Sequence, residues 1–177
     1  TAGEYAPIFF KQAKYTLLDQ NTFWLCEKPD SVGMVGWDAA LTRIATWVKL
    51  QDKKTGQILM VVNTHFDHIG TEARRNSALL IIEKIKEIVG TSPAILTGDF
   101  NVSEDWDAYK TITNNEFILK DAHKVAGKRT GVDFTYHNFG KIPAEKCEKI
   151  DFIFVTPQIR VISSYIPFSQ LNDTLFL

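Results

Sequence analysis

Residues 95–101 read Ile-Leu-Thr-Gly-Asp-Phe-Asn. With Ala94 they open as an apolar run, the pattern of a short strand near the centre of a sheet. They close on a carboxylate and a carboxamide two positions apart. Two other segments also place chemistry on a strand. Asn63-Thr64-His65-Phe66-Asp67-His68 follows the apolar run 58–62, and Ile150-Asp151-Phe152-Ile153-Phe154-Val155 sets Asp151 on the face of Ile153 and Val155. A carboxylate in such a strand is expected to be buried, and it then needs a cation, a histidine or hydrogen-bond donors. Singly, each motif reads as a turn residue, a helix cap or a satisfied histidine. Together, three strands ending in His, Asp/Asn and Asp can converge on one sheet edge. A histidine with carboxylates and an amide suits a hard divalent cation and an activated water, hence attack of water on phosphorus.

The surrounding elements follow from periodicity. Residues 7–10, 15–18 and 22–25 read as short strands, with a turn at 11–14 and a loop over 28–38. Residues 43–50 alternate, turn at 53–56 and return over 58–65 as an antiparallel hairpin. Ala78, Ile81, Ile82, Ile85, Ile88 and Val89 recur at helical spacing, giving a helix over 72–89 with Thr71 as cap and Gly90 as stop. A strand is expected over 94–97, a second helix over 104–113, a loop over most of 124–149, and strands over 150–155 and 161–166. Hairpins mixed with strand–helix–strand connections predict a mixed sheet covered by helices, α+β or a layered α/β sandwich.

With 177 residues, 45% hydrophobic and 23% charged, the chain suits one domain with a sizeable core. A net charge of −1 gives no global field to draw it onto nucleic acid or anionic lipid. No apolar run approaches the ~20 residues of a spanning helix. Cys26 and Cys147 lack metal-ligand spacing and read as two thiols or one disulfide.

"VVNTHFDH", "ILTGDFN" and "KIDFIFV", in this order, resemble the endonuclease/exonuclease/phosphatase superfamily of Mg²⁺-dependent phosphodiesterases. "YAPIFF", "NTFWLCEKPD", "GWDAALTRIATW" and "THFDHIGTEARRNSA" resemble a bacterial subgroup of it. The resemblance implies a four-layer α/β/β/α sandwich of two mixed sheets. It implies catalytic roles for His65, Asp99, Asn101 and Asp151. Asp99 would activate water, Asn101 and His65 would hold phosphate, and Asp151 would orient a second histidine. Mg²⁺ or Mn²⁺ would sit on Asp99 and Asn101, and Gly98 would keep bulk out of the phosphate's approach. Asn63, Asp67 and Arg43 are expected near substrate, Arg43 also as an anchor for the loop before it. Trp37, Tyr136 and His137 are lesser candidates beside the cleft. His68, Arg74, Arg75 and His123 are expected to be bystanders.

The family pattern also holds an Asn on its first strand, a Gln-Glu metal-binding pair and a late Ser-Asp-His, none of which this sequence contains. The expectation is an internal segment of a longer enzyme, 1–177 being one domain lacking both ends and inactive by itself. The compartment, cytoplasm or export, is left open. The expected partner is a phosphate ester, a small molecule or lipid headgroup rather than nucleic acid, acted on by a monomer. The competing readings are a binding module that keeps the fold without the chemistry, and a zinc hydrolase using His65 and Asp67.

Overall fold

Alternation along the strands separates one apolar face from one polar face, and the fold is built on that separation. In the computed structural model, residues 4–115, 119–171 and 174–176 are described. A six-stranded mixed sheet runs in the order β1 (Tyr15–Trp24), β2 (Ile44–Asp52), β3 (Ile58–His65), β4 (Ala94–Asp99), β7 (Asp151–Val155) and β5 (Lys120–Asp121). Strands β2 and β3 form the expected antiparallel hairpin. Strands β3 and β4 are parallel, so the chain must cross over between them, and helix α1 (Thr71–Val89) makes that crossover.

The apolar face carries Ala45, Trp47, Val62, Leu96, Phe152 and Phe154. Helix α1 covers it through Ala78, Ile81 and Ile85, and helix α2 (Asp107–Thr113) adds Tyr109 and Ile112. Phe66 and Phe100 sit just past the ends of β3 and β4, both fully buried. Their ring centroids lie 4.9 Å apart, and Phe100 lies 6.0 Å from Phe152 and 5.2 Å from Phe154. Backbone bonds from Phe66 N to Asp99 O and from Phe100 N to Ile150 O, both 2.9 Å, carry the ladder one residue past the strands.

Strands β6 (Lys128–Gly131) and β8 (Ser163–Ile166) form a parallel pair, and β9 (Ser169–Leu171) with β10 (Thr174–Phe176) an antiparallel one. A short helix α3 (Ala122–Val125) follows β5. The expected layered α/β class is therefore present as a mixed sheet under helices, with these two pairs beside it. Both cysteines are free thiols.

Several local expectations change. The strands expected at 15–18 and 22–25 are one strand, β1, irregular between Leu17 and Asp19. The side chains of Asp19 and Asn21 accept the next residue's N–H, at 2.8 Å each, within the strand. Residues 7–10 form no strand; Phe9 is 90% exposed, and Pro7 has no N–H to give a ladder. Helix α2 starts at Asp107, later than expected. The polar strand β6 lies inside the expected loop. Gly98 is required by β3: a Cβ there would stand 2.2 Å from the Thr64 carbonyl oxygen.

The cap of α1 also differs. Thr71 is inside the helix, and no side chain of the capping residue, Gly70, is available. Asp38, far upstream, accepts from Ala73 N at 2.7 Å and Glu72 N at 3.2 Å. A Cβ on Gly70 would meet the Asp38 carboxylate at 2.5 Å. Beside it, the buried Asp67 accepts from Gly70 N (2.8 Å), Ile69 N (2.9 Å) and Leu41 N (3.1 Å). Burial alone would raise its carboxyl, but the N–H groups of Gly70, Ala40, Ile69 and Leu41 outweigh that and hold it well below the usual range. Asp67 thus ties the loop before β2 to the turn between β3 and α1.

Three measurements check this account. Phe100→Ala should lower unfolding free energy by about 3–5 kcal/mol in urea titration. Asp38→Ala should lower the urea midpoint while Thr71→Ala leaves it in place, the reverse of what a Thr71 cap requires. Asp67 has a depressed folded-state pKa, so its stabilisation is complete above the ordinary aspartate value near ~4 and is lost as pH falls from there toward the folded-state value. Asp67→Asn should therefore destabilise the protein at pH 7 and flatten the acid limb of its stability curve.

Candidate active site

Strand register brings three of the expected residues into one row. His65 on β3 is opposite Asp99 on β4, and Asp99 is opposite Asp151 on β7. Because side chains alternate, all three point away from the phenyl rings that separate them from their neighbours. The face expected to bury Asp151 is in fact the open one: Ile153 beside it is 52% exposed, whereas Phe152 and Phe154 are buried. The next row is Asn63, Thr97 and Ile153. There Thr97 Oγ1 donates to Asn63 Oδ1 at 3.0 Å, and Asn63 Nδ2 donates to Pro7 O at 3.1 Å. The Asn63 amide therefore pins the segment around Pro7 across the sheet.

His65 is held from two sides. Its Nδ1 lies 3.1 Å from Glu4 Oε2 and its Nε2 3.5 Å from Asp99 Oδ2. Desolvation, then the charge of Arg43, pushes its pKa below the usual histidine value against the pull of Asp99 and Asp151. The Asp151 carboxyl is pushed up by desolvation and by Asp99, against a hydrogen bond from Thr135 and the opposing charge of His65.

Asn101 follows Asp99 with a left-handed backbone, φ 50°. Its N–H donates to Asp99 Oδ1 and its Nδ2 to Phe66 O, both at 2.9 Å. This turn joins the ends of β3 and β4 and leaves the Asn101 Oδ1 as the acceptor atom of the amide. Arg43 is buried behind the row. Its guanidinium pairs with Glu4 and His68 Nδ1 (3.2 Å), and its Nε lies 3.7 Å from Asp67 Oδ1. His68 turns to Arg43 rather than joining His65.

The row opens on a cavity of about 570 Å³. His123, Ser164, Tyr165, Thr135 and Lys149 line it as well. His123 Nδ1 is 2.9 Å from Ser164 Oγ. Lys149 is paired with Asp121 (3.0 Å) and Glu104 (3.6 Å). Of the other candidates, Arg74 donates to Asp67 O at 3.0 Å and stacks on Trp106, so it serves the α1 turn. Arg75 pairs with Glu72 at the surface. Trp37, with φ 49°, donates its N–H to Glu27, and His137 accepts from Gly140 N at 2.8 Å; neither lines the cavity. Tyr136 lies outside it too.

Sequence reasoning passed over Glu4 and Thr135, and it set aside His123, which lines the cavity. Glu4 shows only as a lone carboxylate before an apolar run, and its contact with His65 is purely tertiary. Among the described residues, no three His, Cys, Asp or Glu side chains form a ready metal cage. No helix among them is long and apolar enough to cross a membrane.

No family model matches the chain. An endonuclease/exonuclease/phosphatase structure from Bacteroides vulgatus is 64% identical, with a TM-score of 0.93 over 99% of this chain and 69% of that one. The Bacteroides thetaiotaomicron mannosyl-6-phosphatase is 34% identical, with a TM-score of 0.82 over 94% of this chain and 66% of its own. An uncharacterized protein of Acanthamoeba polyphaga mimivirus is 36% identical over 127 residues, and the chain spans 46% of its length. The fold is thus the one used by phosphoesterase-type hydrolases. Its mixed sheet, its motif order and a 64% identical relative covered over 69% of its length place the chain in the endonuclease/exonuclease/phosphatase family.

Proposed function

We propose that the protein hydrolyses a phosphate ester with a divalent cation, Mg²⁺ or Mn²⁺, by in-line attack of water. The observation that carries this reading is the row His65–Asp99–Asp151 facing one cavity. Asp99 accepts the proton of the attacking water. His65, held between Glu4 and Asp99, presents its ring to the phosphate oxygens from the cavity wall. Asn101 is oriented by its bond to Phe66 O. Asp151 orients a histidine that none of the described residues supplies.

The cation fits the charge of the row. Asp99 and Asp151 are cross-strand partners, two carboxylates side by side on the wall of one cavity. Asp99 and the Asn101 Oδ1 would hold the ion with substrate oxygens and water completing its shell, as Mg²⁺ prefers over an all-protein cage. Its contribution would be to neutralise charge building on the phosphoryl oxygens.

The substrate we favour is a small phosphate ester, such as a sugar phosphate or a lipid headgroup, over nucleic acid. Among the described cavity-lining residues Lys149 alone has a fixed positive charge, and it is committed to Asp121 and Glu104. A nucleic-acid groove needs unpaired Lys and Arg along its length. The 34% identical relative is, by its name, a mannosyl-6-phosphatase. A second reading, a binding module of the same fold, draws on the lack of a ready three-ligand metal cage among the described residues.

Hydrolysis of aryl phosphate mono- and diesters by the full-length natural protein separates the two. Turnover should require Mg²⁺ or Mn²⁺, cease with chelator, and fall about 100-fold or more in Asp99→Asn while the mutant keeps its melting curve. Ligand binding without turnover in the wild type, unaffected by Asp99→Asn, would establish the binding module instead.

A further inference from the structure

His123 on α3 and Ser164 on β8 meet on the cavity that also holds His65 and Asp99. His123 Nδ1 and Ser164 Oγ are hydrogen-bonded at 2.9 Å. The row His65–Asp99–Asp151 gives this pair no task.

Both partners are placed by their elements. Asp121, buried at the end of β5, accepts from His123 N at 2.8 Å through Oδ1, and its Oδ2 accepts from Lys149 Nζ at 3.0 Å and Tyr109 OH at 3.2 Å. The backbone that carries the ring is thus anchored in the core. Along β8, Ser164 and Ile166 are half-buried and line the cavity, while Ser163 and Tyr165 are exposed. Strand alternation thus turns the Ser164 hydroxyl inward.

The pair has hydrogen-bonding capacity to spare. On the same cavity, the side chains of Asn63, Thr97 and Thr135 each make two hydrogen bonds within the protein. Lys149 is held by Asp121 and Glu104. Among the described residues, the His123 and Ser164 side chains have one hydrogen bond, to each other. His123 Nε2 lies 3.8 Å from Asp133 Oδ1, too far for a hydrogen bond, and Asp133 is fully exposed. A neutral imidazole has one donor and one acceptor nitrogen, and a hydroxyl one donor and two acceptor sites. If Ser164 donates to Nδ1, then Nε2–H is free to donate and Ser164 Oγ to accept. If Nδ1–H donates to Ser164, then Nε2 is free to accept and the Ser164 proton to be given. Either tautomer offers the cavity one donor beside one acceptor. An alcohol hydroxyl, itself donor and acceptor, can satisfy both. A hydrocarbon group placed there would leave both without partners, at the cost of their desolvation.

We propose that His123 and Ser164 bind the alcohol part of the substrate and select a polyhydroxylated one, a sugar or a polyol headgroup, over a plain alkyl group. The proposal rests on the phosphoesterase reading for the phosphate end of the substrate and on the pair itself for the alcohol end.

The test uses the full-length natural protein with Mg²⁺. Its esters are glucose 6-phosphate and n-butyl phosphate, each as monoester and as methyl diester, and, in vesicles, phosphatidylinositol and phosphatidylbutanol. In at least one pair kcat/KM should favour the hydroxylated ester, and Ser164→Ala and His123→Phe should each cut that preference on the order of tenfold, the worth of one hydrogen bond. Preference in the soluble pair marks a free sugar, and preference in the vesicle pair a headgroup. A wild type without preference for either hydroxylated ester would overturn the proposal. So would a preference untouched by both variants, even with Tm lowered and all rates reduced in proportion, since the pair would then only tie α3 to β8. No turnover of any ester would sink the phosphoesterase reading instead, and the ring-nitrogen NMR signals of His123 then decide. They should shift with glucose 6-phosphate or inositol 1-phosphate and not with inorganic phosphate. Signals that stay still with both esters, or that move equally with inorganic phosphate, would refute the role of the pair.

Discussion

Three phenyl rings hold this site together from behind. Phe66, Phe100 and Phe152 come from three different segments and meet edge-on in the core. Each is flanked in sequence by a residue of the polar row: His65 and Asp67 around Phe66, Asp99 and Asn101 around Phe100, Asp151 before Phe152. Burying such rings drives the strand ends together, since each removes a large apolar area from water. Because side chains alternate, the same burial turns the polar neighbours of β3, β4 and β7 to the opposite face. The site is thus a consequence of core packing, and it answers why an apolar strand finishes on Asp-Phe-Asn.

The aspartates around the row divide by the company they keep. Asp38 and Asp67 receive backbone N–H groups at the start of α1 and act as ties. Asp67 also lies against Arg43, whose buried charge is answered by Glu4 as well. Asp151 stands beside a second carboxylate, Asp99, across the strands. Donor supply, rather than residue type, separates the carboxylates that tie the fold from those that line the cavity.

Much of the fold was legible because its strands and α1 have clean periods. The hairpin, the central position of β4 and the apolar stripe of α1 all follow from spacing. What escaped has no local signal. The cap of α1 comes from a residue more than a helix-length upstream, while Thr71 offered a plausible nearby one. The middle of β1 is polar and reads as a break; only its pairing with β2 makes it a strand. Strand β6 is Lys-Arg-Thr-Gly and has no apolar pattern. For the site, motif order exposed His65, Asp99 and Asp151. Asp67, Asn63 and Arg43 have side-chain contacts to protein that only tertiary structure reveals, and so does Glu4. The burial expected for Asp151 failed because both faces of β7 are apolar in sequence, and only the helices choose between them.

The interleaving of rings and polar groups has a bearing on how such a chain can vary over time. A substitution at one position of these strands alters one side chain on one face. Deleting or inserting a single residue within β4 does something else: it exchanges the faces of everything beyond it, placing a phenyl ring in the row and a carboxylate among phenyl rings. Length in these strands is therefore far less free to drift than composition. Sequence change is open to replacement here and closed to gaps, while the connecting loops, which carry no such parity, are free to grow and shrink.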